Sequence, residues 1–126
     1  MKTAHDLVMA AKARVQEVSI ADAEQAIRDA DVLVDVREAD EFAAGHLGGA
    51  VHISRGMLEF KFSANPALQA RDIKVLLYCK TSGRAALAAA ALHEMGYLNV
   101  QSLAGGFDAW AAAGKPVAKP ETPSFD

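Results

Sequence analysis

The 126-residue chain is predicted to fold as one α/β domain of three layers, a central, mostly parallel sheet of about five strands with helices on both faces. Three observations predict it. Short apolar runs alternate with helix-like segments along most of the chain. Two of these runs, residues 32–36 and 73–78, are apolar enough to lie centrally in a parallel sheet, where strands are covered on both faces. An apolar content of 52% with 23% charged residues fits one folded core.

The elements follow in order. Residues 4–14 space Leu7, Val8 and Ala11, with Val15 beyond, on one face of a helix. Residues 15–18 read as a short strand. Ser19 then stands in an N-cap position, with Asp22 replacing the usual Glu or Gln of a capping box, and a helix is expected from Ile20 to about Asp29. The second strand, 32–36, precedes a short helix from Glu38 to Ala44. Its acidic start, Glu38, Asp40 and Glu41, reads as a solvated cluster that complements the helix dipole. Glycines make 45–50 a loop, and 51–53 is a short strand. Residues 54–72 contain Pro66 and show little periodicity beyond a short helix near 56–62. Strand 73–78 is followed by a helix over 84–95, with Leu87, Ala91 and Met95 as the expected buried stripe and His93 facing solvent, stopped by Gly96. Residues 100–103 give the last strand. Gly105-Gly106 then leads into a helix of about 107–113, in which Trp110 is read as core. Three of the four prolines lie in 115–126, which reads as an exposed tail. The expected organisation is an N-terminal helical extension (1–14), the domain proper (15–117) and a C-terminal tail (118–126).

Composition excludes several classes. A net charge of −3 leaves no nucleic-acid footprint. A single cysteine allows neither an internal disulfide nor a Cys-x-x-Cys metal pair, and His5, His52 and His93 form no ligand spacing, so no metal is expected. Asp6, Lys12 and Arg14 interrupt any signal-peptide apolar core, and no run is long enough to span a bilayer. The expected location is the cytoplasm, where Cys79 stays a free thiol. Oligomeric state has no signature in the sequence.

Chemistry concentrates at Cys79-Lys80-Thr81-Ser82-Gly83-Arg84, between the strand over 73–78 and the helix over 84–95. A strand-to-helix turn directs its backbone N–H groups into one concavity, reinforced by the helix N-terminus. Such a hollow stabilises an anion, and with it a thiolate or a sulfur anion, with Lys80 and Arg84 adding positive charge. In parallel sheets, ligands bind beyond the carboxyl ends of the strands. Asp35 and Arg37 lie at a second such end.

Four segments in this order resemble a single-domain rhodanese. Leu33-Val34-Asp35-Val36-Arg37, continuing to Gly45-His46-Leu47, is similar to the family's Asp-x-Arg strand end and its Gly-His-Ile-Pro-Gly-Ala loop. Residues 54–60 are similar to the segment after the third strand. Tyr78-Cys79 through Arg84 is similar to the active-site loop, and Leu103-Ala104-Gly105-Gly106-Phe107 with Trp110, Gly114, Pro116 and Val117 to the closing helix and turn. The resemblance spans roughly residues 15–117. There are two departures: Gly48 replaces the loop's usual proline and is expected to loosen it, and Ser82 stands where many members have a glycine, although serine adopts positive φ less readily.

The resemblance implies a thiosulfate sulfurtransferase. Cys79 would take a sulfane sulfur as a transient persulfide, with no cofactor, from a small anionic donor such as thiosulfate and pass it to cyanide, a thiol or a protein acceptor. Residues Lys80, Thr81, Ser82, Gly83 and Arg84 would cradle the donor through their amides. Lys80 would steer it, and Arg84 would either bind its oxyanion or tie the loop down. The alternative is a sulfur-carrier or protein-binding module with little small-molecule turnover. Phosphatases and arsenate reductases of this fold use a Cys-x5-Arg loop, and the four residues between Cys79 and Arg84 are too few for it. Asp35 and Arg37 read as a brace built from charge-assisted hydrogen bonds, and His46 as architectural. Lys61 reads as a solvated surface lysine rather than a second anion contact.

Overall fold

The computed structural model describes residues 1–120. Five strands, β1 (Gln16–Val18), β2 (Val32–Asp35), β3 (Val51–His52), β4 (Lys74–Tyr78) and β5 (Asn99–Leu103), form one sheet ordered β1-β5-β4-β2-β3. Every pairing is parallel. Parallel neighbours require crossovers, which α2 (Ala23–Asp29), α3 (Ala39–Ala44), α4 (Leu58–Ala64) and α5 (Gly83–Glu94) supply, while α1 (Ala4–Lys12) precedes the sheet and α6 (Gly106–Ala112) follows it.

Alternation along the central strands divides the core in two. Val34, Val36, Val75, Leu77 and Cys79 face α4 and α5, where Leu58, Phe62, Ala85, Ala88, Ala89 and Leu92 bury them. Leu33, Leu76, Tyr78 and Leu103 face the other side with Ala23 and Trp110. Within its long apolar run, β4 therefore sends successive residues to opposite cores, and Cys79 continues that alternation one residue past the strand.

The stripe expected on α5 is displaced. Leu87, Ala91 and Met95 are only half-buried, while Ala85, Ala86, Ala88, Ala89, Ala90 and Leu92 are buried. The reason lies in a second covering layer: α1 lies on α5 and packs Ala11 against Ala86 and Ala90. A helix covered on two sides buries more than one stripe, and small side chains let both neighbours approach. The N-terminal helix is thus docked on the domain. It starts in a capping box in which the Thr3 hydroxyl accepts from the Asp6 amide and the Asp6 carboxylate from the Thr3 amide.

Other local expectations shift. Ser19 does not close a capping box: its hydroxyl donates to the Asp22 carboxylate, and residues 20–22 form a 3-10 turn before α2 begins at Ala23. Segment 54–72 holds α4 between two 3-10 turns, Arg55–Met57 and Pro66–Leu68. The start of the expected tail is engaged. Trp110 Nε1 donates to the Pro116 carbonyl at 2.7 Å, and Ala118 pairs with His46 as an antiparallel bridge. The remainder of that tail, 121–126, lies outside the described residues. No described helix is long and apolar enough to cross a membrane.

Candidate active site

The loop from Cys79 to Ser82 leaves the carboxyl end of β4 and enters α5 at Gly83. Its orientation is set by α6. The Phe107 amide donates to the Cys79 carbonyl at 2.8 Å and the Asp108 amide to the Lys80 carbonyl at 3.0 Å. With those carbonyls held toward α6, the amides of residues 80–84 are free to face away, and among the described residues none of them donates to a protein group. Cys79 is 1% exposed, and its Sγ accepts from the Ala85 amide at 3.4 Å. A buried sulfur therefore lies beside a set of unpaired N–H groups at a helix start, an arrangement suited to holding a sulfur anion.

Gly106 makes this seat possible. Its φ is +57°, and a Cβ there would lie 2.4 Å from the carbonyl oxygens of both Cys79 and Thr81. The sequence reads Gly105-Gly106 as a helix leader within the segment similar to the family's closing helix, with no role at the Cys79 loop. The readable signal was the doublet itself, since one glycine suffices to turn a chain into a helix.

The loop cations are pinned. Arg84 donates to both carboxylate oxygens of Glu41 on α3, at 2.7 and 3.0 Å. The hydrogen bond from Arg84 holds the Glu41 carboxyl down at about 2, and the same bond raises Arg84. Of the two roles expected for Arg84, the geometry matches tying the loop down. Glu41 is accordingly not a merely solvated member of the acidic cluster; it also closes a capping box with Glu38. Lys80 pairs with Asp108 at 2.7 Å at an exposed rim. Ser82 accepts from Lys12 of α1 at 2.7 Å and has φ −155°, so its place in the loop requires no left-handed backbone. Thr81 is exposed.

Asp35 and Arg37 form the second corner, at the end of β2. Asp35 is fully buried and Arg37 is 4% exposed. Arg37 Nε and Nη2 grip the Asp35 carboxylate, and Nη2 also donates to the Gly45 carbonyl at 2.6 Å. The Tyr78 hydroxyl donates to Asp35 at 2.7 Å and accepts from the Leu47 amide at 3.0 Å, and burial pushes its phenol up. Arg37 lies 4.4 Å from the centroid of the Phe107 ring. His52 Nε2 lies 2.7 Å from the Arg37 carbonyl, which can only accept, so Nε2 carries the proton. This network joins the ends of β2 and β4 to the glycine loop. His46 stacks on Phe42 at 3.9 Å, is buried with Nδ1 unpartnered among the described residues, and is held below its ordinary value by that burial.

A cleft of about 240 Å³ is lined by Gln16, Lys74 and Asn99, the first residues of β1, β4 and β5. It lies at the opposite end of the sheet from Cys79. Among the described residues no cluster of His, Cys, Asp and Glu is arranged to hold a metal.

The sequence profile of the rhodanese-like domain matches residues 19–113. A sulfurtransferase from Allochromatium vinosum is 32% identical over 85% of this chain and 98% of its own length. The thiosulfate sulfurtransferase GlpE of Pseudomonas putida is 38% identical over 64% of this chain and 70% of its own. Among solved structures, a Rhodopseudomonas palustris protein of unknown function, described as a possible tyrosine phosphatase, superposes with a TM-score of 0.83 at 31% identity, covering 94% of this chain and 96% of that one. The chain belongs to the rhodanese-like sulfurtransferase family.

Proposed function

We propose that this rhodanese-like chain transfers sulfane sulfur from a small anionic donor such as thiosulfate to a thiophilic acceptor through a persulfide on Cys79. The observation that carries the reading is the buried Cys79 Sγ beside the unpaired amides of residues 80–84. The similarity to a thiosulfate sulfurtransferase supports the choice of donor. The Cys79 thiolate attacks the outer sulfur of thiosulfate. A new S–S bond forms, the donor's S–S bond breaks, and its electron pair leaves with sulfite. Cyanide or a thiolate then attacks the outer persulfide sulfur, producing thiocyanate or a new persulfide and regenerating the Cys79 thiolate. The two half-reactions share one enzyme form and give ping-pong kinetics. The backbone amides stabilise the persulfide anion without titrating themselves. No cofactor takes part, and a reducing cytoplasm keeps the resting thiol free.

A phosphatase reading is disfavoured by the same loop. Four residues separate Cys79 from Arg84, and Arg84 is held by Glu41 rather than directed at a bound oxyanion.

The test is intact-protein mass after thiosulfate and again after cyanide. A gain of one sulfur atom is expected, lost on cyanide addition with release of thiocyanate. Cys79→Ser should show no gain while keeping its circular dichroism spectrum. Sulfur gained by that variant would overturn the mechanism, and no gain in the wild type would redirect the reading to a protein-fed sulfur carrier.

A further inference from the structure

Helix α1 lies outside the segment matched by the family profile, yet it reaches the loop. Ala11, 2% exposed, fixes it to α5. One turn back, Val8 stands 3.4 Å from where a Cβ on Gly83 would lie, and Lys12 donates to Ser82 Oγ at 2.7 Å. Of the cations that touch the loop or belong to it, Lys80 is paired with Asp108 and Arg84 with Glu41. Lys12 has no carboxylate partner among the described residues; its one hydrogen bond is to a neutral hydroxyl. A cation facing an acid contributes little net field to an incoming anion, whereas one facing a hydroxyl keeps its charge available.

We infer that Lys12 supplies the uncompensated positive charge that binds the anionic group of the sulfur donor at the Cys79 loop, so that α1 is a working wall of the site. The inference rests on the proposed reaction, and it names the residue that selects anionic over neutral sulfur donors. Ser82 fits this role. A serine at that position gives the ammonium an acceptor without neutralising it, so the lysine is held at the loop and retains donors for the ligand.

The closing experiment reads charge selectivity without requiring sulfur transfer. Cys79 is alkylated in the intact protein with iodoacetate, an anion, and with iodoacetamide, its neutral analogue, and the rate ratio is compared across variants. Lys12→Gln should lower the iodoacetate-to-iodoacetamide ratio about fivefold at low salt, Lys12→Arg should restore it, and Lys80→Gln should change it less. The KM for thiosulfate, a dianion, should rise about tenfold in Lys12→Gln. An unchanged ratio in Lys12→Gln, or an equal fall in Lys80→Gln, overturns the inference. A wild type that shows the expected ratios but gains no sulfur from thiosulfate leaves Lys12 as the anion contact and removes the sulfurtransferase reading instead.

Discussion

Two arginine–carboxylate pairs flank the ends of adjacent strands, and they do opposite things. Arg37 and Asp35 are shut away at 4% and 0% exposure, with every oxygen of the carboxylate occupied by the guanidinium, an amide or Tyr78. Arg84 and Glu41 are also bidentate, through the two Nη atoms rather than Nε and Nη2, with 34% and 26% of their side chains exposed. Chemistry is the same in both pairs; burial differs. The buried pair is a strut whose loss strands a charge in the core, whereas the half-exposed pair adjusts a loop. The corner built on side chains holds the frame still, so the neighbouring corner can present a cradle made of backbone.

The largest expected effect breaks the backbone corner. Gly106→Ala drives a Cβ into the carbonyls of Cys79 and Thr81, so the loop must move. A displacement on the order of 1 Å should reduce kcat/KM for sulfur transfer about 100-fold or more, measured as thiocyanate formation. Activity near wild type would show that the amide cradle tolerates displacement.

Breaking the struts compares the pairs directly. Arg37→Ala leaves the Asp35 carboxylate buried without its cation and should cost about 3–5 kcal/mol in urea denaturation. Arg84→Ala should cost about 1 kcal/mol or less and show its effect in KM and kcat instead. Equal losses of stability would dissolve the distinction drawn between the two corners.

Acid sharpens the comparison from the carboxylate side. Glu41 is held at about 2, below its ordinary 4.5, chiefly by the Arg84 hydrogen bond. A depressed carboxylate contributes stability that is fully present above 4.5 and is lost as pH falls toward 2. The drop in Tm across that window should therefore be smaller in Glu41→Gln than in the wild type. Identical slopes would show that the pair does not couple to folding.

The smallest effect concerns Gly48, in the loop that Arg37 anchors at Gly45. Gly48 has no positive φ, and a Cβ there meets nothing within 4 Å. Gly48→Ala should stabilise by about 0.4–1 kcal/mol through the unfolded chain, read from the urea midpoint at constant m. Destabilisation would mean that the loop uses conformations only glycine reaches.

The layered α/β fold was legible because its signals are local. The run over 73–78, the glycines that stop helices and the lone cysteine at a strand end each need only a few neighbouring residues to interpret. Their order was enough to place Cys79 at the carboxyl edge of a parallel sheet. The burial stripe of α5 departs from its periodicity for the opposite reason: periodicity reports one covered face, and only the docking of α1 shows a second. Glu41 looked like a helix-start carboxylate because its sequence neighbours are acidic, while its partner Arg84 lies 43 positions away.

The sequence by itself determined the element order, the parallel sheet and the place of the lone cysteine at a strand end, since these follow from propensity, periodicity and residue chemistry along the chain. Tertiary structure decided which charges remain available at the site. Lys80 and Arg84 are neutralised by Asp108 and Glu41, and Lys12, far away in sequence, is brought to Ser82. Charge compensation depends on distance in space, and only the folded chain fixes those distances.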